Sequence, residues 1–136
     1  MWRPGLLKDK VKQKGIEQAI NDILKSRSRS KIYMYLLKKN GAKTEQIIKG
    51  TKLHPSTVRE TLAQMYEEKL IFRTKIQNDN IGKNPYIYYP ISPIDLLKKH
   101  TNELEERLNM LALLSVSKNK NKNYRPVKIR ISESVE

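Results

Sequence analysis

Apolar positions in the first half of the chain follow helical periods. Ile16, Ala19, Ile20, Ile23 and Leu24 recur at i, i+3, i+4, i+7 and i+8, which predicts a one-faced amphipathic helix. It runs into Ser26-Arg27-Ser28-Arg29-Ser30, a run whose serines favour caps and turns. That run reads equally as a plain linker or as a contact for phosphates. A second helix is expected over Lys31 to Lys39, with Ile32, Tyr35 and Leu36 on one face, ending at Asn40-Gly41. A short helix follows from Thr44, read as its N-cap, to Gly50, with Ile47 and Ile48 as the buried pair. Gly50 to Leu53 forms a turn with Leu53 as its apolar plug. Pro55 then opens a further helix, its missing N–H being no loss at the first position, with His54 as an unusual N-cap. On that helix Val58, Leu62, Met65 and Tyr66 share the face expected to be buried.

After Lys69 the pattern changes to short β-branched and aromatic runs. Leu70 to Ile76 and Tyr86 to Pro90 read as two strands, and the polar segment between them, QNDNIGKNP, as a turn-rich loop. Ser92 and Pro93 then begin a long helix. Along it Ile94, Leu97, Thr101, Leu104, Leu108, Leu111 and Ser115 fall at alternating three- and four-residue spacing, a heptad seam. Such a stripe can pack on its own domain or against a second copy. Its length and its position after the compact body favour the second copy, with Ile94, Leu97, Thr101, Leu104, Leu108 and Leu111 as the dimer interface.

The two ends of the chain are lysine-rich. Residues 1–15 hold Trp2, Leu6, Leu7 and Val11 among basic side chains, and are either disordered or laid on the body. Residues 118–136 begin as low-complexity sequence that builds no core alone. Val127, Ile129 and Ile131 alternate with Lys128 and Arg130, so an edge strand is one reading, but a flexible basic tail is preferred. The expected organisation is therefore a basic arm over 1–15, a winged helix-turn-helix over 16–91, a dimerisation helix over 92–117 and a basic tail over 118–136. The fold class is mainly α with a small β-hairpin.

Composition adds a polyanionic partner to this picture. The net charge is +14, and it is unevenly spread. Residues 1–90 carry 19 basic against 8 acidic side chains, residues 91–117 carry 3 against 4, and the remainder 6 against 2. A basic body beside a neutral segment points to nucleic acid near the body. With no cysteine there is no disulfide framework and no thiolate chemistry. No apolar run approaches the roughly 18 residues of a membrane span, and the start lacks a signal peptide's apolar core. A cytoplasmic, nucleoid-associated location is the expectation, with no membrane partner. No glycine-rich phosphate loop or paired histidine spacing occurs, and His54 and His100 lie in different elements. No catalytic residue, cofactor or metal is expected.

For duplex DNA, phosphate contacts require Lys and Arg, and base contacts require short polar or forked side chains at the front of an exposed helix. The expected recognition helix spans 55–68. On it Ser56 and Thr57 suit phosphate or a thymine edge, Arg59 guanine, Glu60 cytosine or the orienting of Arg59, and Gln64 adenine or a phosphate. Lys43 and Lys52 lie where helix ends meet backbone. Lys75, just before the wing 76–85, and Lys83 and Asn84 within it are candidates for the minor groove or its phosphates at the flanking groove.

The run from Lys31 to Tyr89 resembles archaeal winged helix-turn-helix regulators, in particular the DNA-binding part of the TrmB-like family and its MarR-like relatives. The resemblance rests on Thr44-Glu45-Gln46-Ile47-Ile48, Leu53 through Leu62 (LHPSTVRETL), Lys69-Leu70-Ile71, Gly82-Lys83-Asn84-Pro85-Tyr86 and Tyr89-Pro90-Ile91. It implies a basic wing tip leading into a tyrosine-bearing strand, then a helix joining a dimer partner. No C-terminal sugar-binding domain follows, so no small-molecule effector is indicated. The expectation is a homodimeric, sequence-specific transcriptional regulator bound to double-stranded DNA. The alternatives are an architectural chromatin-type protein with little sequence preference and a winged-helix module that holds protein partners.

Overall fold

A computed structural model describes residues 10–76, 86–115 and 126–132. The chain divides into two compact units, residues 1–92 and 93–136. The first contains α1 (Lys10–Leu24), α2 (Arg27–Lys39), β1 (Ala42–Lys43), α3 (Thr44–Thr51), α4 (Pro55–Glu67), β2 (Ile71–Lys75) and β3 (Tyr86–Pro90). The second is built on α5 (Pro93–Leu114).

The expected helix-turn-helix is present, and its core is the predicted one in most positions. Ile32, Tyr33, Leu36, Ile47, Val58, Leu62 and Met65 are the largest fully buried side chains, so α2 is the central helix against which α3 and α4 pack. Burying side chains of this size stabilises by about 1.5–3 kcal/mol each. The hydroxyl of buried Tyr33 donates to the Ile91 carbonyl at 2.8 Å, fastening α2 to the chain leaving β3.

Several boundaries differ from the sequence reading, each for a local reason. Helix α2 begins at Arg27, four residues earlier than expected, because Ser26 serves as its N-cap: its extended backbone lets Oγ accept from the Arg29 N–H at 3.3 Å. The Ser/Arg run is thus the first turn of a helix and not a linker. Helix α1 likewise starts at Lys10, inside the segment assigned to the arm. Thr44 is not the cap of α3. Lys43 is, and the Gln46 side chain reaches back to accept the Lys43 N–H at 2.8 Å. Sharp turning after α3 occurs at Lys52, in the left-handed conformation at φ 59°, whereas Gly50 is helical. What Gly50 supplies is room, since a Cβ there would run into the Tyr35 ring.

The sheet has three antiparallel strands in the order β1-β3-β2, one more than the expected hairpin. Ala42 pairs with Tyr88 and Lys43 with Ile87, while Ile71 pairs with Pro90 through to Lys75 with Tyr86. The two-residue β1 is too short to show an alternating pattern, which is why sequence periodicity misses it. Residues 77–85, containing the expected wing tip, lie outside the described residues.

In the second unit α5 spans 22 residues. The segment 126–132 runs along it. The Val127 N–H donates to Asn109 Oδ1 at 2.9 Å, the Asn109 amide donates to the Val127 carbonyl at 3.1 Å, and the Ile129 N–H donates to Glu105 Oε1 at 2.8 Å. Rising residue numbers in the segment meet falling ones in the helix, so the two run antiparallel. Val127, Ile129 and Ile131 are half-buried while Lys128, Arg130 and Ser132 are exposed. This part of the expected flexible tail is therefore a strap. Asn109, which the heptad reading leaves off the seam, is buried by it at 6% exposure. Seam residues Ile94, Leu97, Leu108 and Leu111 are exposed, and Thr101 and Leu104 are partly covered.

Candidate nucleic-acid interface

Helix α4 is held by Val58, Thr61, Leu62 and Met65, all buried. Its entry is set by His54, whose Nδ1 accepts the Ser56 N–H at 3.2 Å and lies 2.7 Å from Ser56 Oγ. An imidazole nitrogen here does what a serine or aspartate oxygen usually does. At 100° per residue, the stripe opposite the core carries Ser56, Glu60, Ala63 and Glu67, all exposed. Exposed Arg59 flanks this stripe on the side of Tyr66, and Gln64 flanks it on the other. Thr57 is half-buried.

The two flanks are tied to neighbouring elements. On the Gln64 side, Arg29 of α2 forms an ion pair with Glu68, Nη1 donating to Oε1 at 3.0 Å, and reaches Gln64 Oε1 at 3.5 Å. Thr61 Oγ1 donates to Ser28 Oγ at 3.3 Å alongside. Hydrogen bonding to Glu68 pushes the Arg29 guanidinium above its ordinary pKa. Gln64 is thus engaged with α2 as well as facing solvent.

On the other flank Tyr66 is 40% exposed and is not a core residue; buried Thr61 takes the place the sequence reading gave it. The ring of Tyr66 stacks on Arg73 of β2, with the guanidinium carbon 3.9 Å from the ring centroid and 4.1 Å from that of Tyr86. Burial works against the Arg73 charge, but hydrogen bonding to Tyr88 and the adjacent tyrosines outweigh it and raise its pKa. The recognition-type helix and the root of the wing are therefore joined by a guanidinium between two rings. Strand alternation carries part of the signal, since Arg73 shares its sheet face with buried Ile71. The helical partner Tyr66 is not readable from the strand.

Of the remaining candidates, Lys43 caps α3, Lys52 occupies the turn before α4, and Lys75 ends β2 opposite Tyr86; all three are exposed. Lys83 and Asn84 fall outside the described residues.

The family whose model matches is described as the TFIIE alpha subunit, over residues 14–120, which takes in all the described elements from α1 into α5 but stops short of the strap. The chain belongs to the TFIIE alpha subunit family. Among solved structures, it is similar to one from Methanosarcina mazei Go1 titled "possible transcriptional regulator", at 22% identity and a TM-score of 0.58. The similarity covers 76% of this chain and 89% of that one, and it supports the fold. No curated protein matches the sequence.

Proposed function

We propose that this TFIIE alpha subunit family member is a transcription-related protein that binds duplex DNA as a homodimer. The observation carrying this reading is the exposed front of α4, with Ser56 and Arg59 in its first turns, on a chain of net charge +14. Its N-terminal half enters the major groove, where Arg59 takes guanine, Glu60 cytosine, and Ser56 and Thr57 phosphate or a thymine edge. Lys43 and Lys52 meet the backbone, and Lys75 with the 76–85 wing, including Lys83 and Asn84, takes the flanking groove. The exposed seam of α5 pairs the two copies and sets half-site spacing. The resemblance of the head to TrmB-like and MarR-like regulators supports sequence-specific reading.

Two observations favour other readings. The size of the charge excess suits an architectural protein with little sequence preference. Glu60 and Glu67 on the outward stripe of α4, together with a family named for a subunit, suit a winged helix that holds a protein. Binding to random and selected duplexes across a salt series separates them. Sequence-specific reading predicts at least about a thousandfold preference for selected duplexes, whereas equal affinity with a steep salt slope selects the architectural reading. DNA affinity unmoved by Arg59→Ala together with Lys83→Ala retires the assigned face. For the dimer, sedimentation is expected to give two copies at micromolar concentration, and one copy after Leu104→Asp with Leu108→Asp.

A further inference from the structure

A cavity of about 670 Å³ opens between α1, α2 and the end of α3, within the range of small-molecule sites. One stripe of α2 lines it: Arg27, Ser30, Lys31, Met34, Tyr35 and Lys38, at the i, i+3, i+4, i+7, i+8 and i+11 positions of a single helical face. Glu17 and Asn21 of α1 face this stripe, and Gly50 and Thr51 close the far end.

Three features of the cavity point to a ligand. Its charge is three cations against one carboxylate, so the occupant is an anion. Its wall is formed by Met34 and by Tyr35, whose ring packs on Gly50, which suits a flat apolar body. Finally, Ser30 is among the lining residues and only 5% exposed, and its hydroxyl has no hydrogen-bond partner among the described residues. Its backbone N–H bonds the Ser26 carbonyl at 2.9 Å, so the helix is satisfied there and only the hydroxyl is left over. Buried polar groups ordinarily have partners, and one that does not marks a place where something else supplies it.

The spacing narrows the ligand further. Arg27 and Lys31 lie one turn apart, about 6 Å along the axis, close enough to share a single dianionic group with Ser30 between them. Lys38 lies about 10.5 Å beyond Lys31, with Tyr35 in between. We propose that this cavity binds a small organic anion carrying a flat apolar body and one phosphate, of the nucleoside monophosphate class. The phosphate is held at Arg27 and Lys31, and the flat body lies along Met34 and Tyr35.

The site is distinct from the candidate DNA face. Arg29 and Ser28, which contact α4, point to the other side of α2. A duplex backbone does not reach the floor of a concave site lined by buried Ser30 and Met34. The cavity does touch Thr51, whose Oγ1 donates to the Ile47 carbonyl at 2.7 Å and accepts the Leu53 N–H at 3.3 Å, forming the turn that leads into α4.

The test is an amide-resolved NMR titration of the full chain with adenosine monophosphate and, separately, inorganic phosphate. Saturable shifts are expected for the nucleotide at Asn21, along Ser30 to Lys38 and at Gly50 and Thr51. Affinity is expected to fall about tenfold or more in Lys31→Glu, and inorganic phosphate is expected to bind at least about tenfold more weakly than the nucleotide. Ser30→Ala is expected to weaken the nucleotide while leaving the thermal midpoint unchanged. Absence of saturable shifts at these amides overturns the proposal, as does phosphate binding as tightly as the nucleotide. A drop of several degrees in Ser30→Ala overturns it too, because the hydroxyl would then have a partner inside the protein. Duplex DNA shifting the same amides would reassign the cavity to nucleic-acid phosphate.

Discussion

Arg73 of β2 and Tyr66 of α4 stand with guanidinium and ring centroid 3.9 Å apart, and the second face of the guanidinium is covered by Tyr86 at 4.1 Å. Each such contact contributes about 0.5–1 kcal/mol at a partly exposed site. Arg73→Ala is therefore expected to cost about 1–2 kcal/mol in urea unfolding. Arg73→Lys should recover only part, since an ammonium lacks the planar surface that covers both rings at once. Equal stability of wild type and Arg73→Ala would show that the stack holds nothing together.

The Arg29–Glu68 pair joins α2 to α4 on the opposite flank, with side chains 20% and 48% exposed. At that exposure the pair contributes under about 1 kcal/mol. Glu68→Gln should lower stability by that amount at low salt, and the difference should shrink toward zero in molar salt. Pairing raises the Arg29 pKa above its ordinary value. Stability from the arginine proton is thus fully present below that value and is lost only as pH climbs through the raised one. No loss traceable to Arg29 is expected between neutrality and mild alkali, which a pH series of melting curves would check.

Gly41 follows left-handed Asn40 and itself holds φ at 112°, where a Cβ would also collide with the Tyr89 ring. Gly41→Ala is expected to cost about 1–3 kcal/mol from the backbone alone. A Tyr89→Ala background should rescue it only in part, because removing the ring relieves the collision and leaves the strain. Full rescue in the double-mutant cycle would show that the clash was the whole effect.

Asn109 anchors the strap with its amide and its carbonyl together. Asn109→Ala should abolish hydrogen-exchange protection at Val127 and Ile129 while leaving the amides of α2 and α4 protected. Asn109→Asp, keeping the acceptor and losing the donor, should retain part of the Val127 protection. Persistent protection in Asn109→Ala would mean that the half-buried Val127, Ile129 and Ile131 dock the segment without the clamp.

Whatever depends on neighbours within a turn or two is legible in the order of the amino acids. The apolar stripes of α2 and α4 name Ile32, Leu36, Val58, Leu62 and Met65 as core, and Pro55 after His54 marks where α4 begins. The change to alternating aromatic runs locates β2 and β3, and the heptad spacing locates α5. Tertiary structure decided what depends on a partner far along the chain. Tyr66 falls on the edge of its helical stripe, and only Arg73 and Tyr86 on the sheet make it a flank residue in place of a core one. Ser26 becomes a cap because α2 has enough buried surface against α3 and α4 to extend through a polar first turn. Asn109 reads as a surface residue until the backbone of Val127, eighteen positions on, takes both of its amide groups. Periodicity records which face of an element is buried, because burial repeats with the element's own geometry. It carries no record of which side chain stands opposite, and that is where the stack, the strap and the cavity come from.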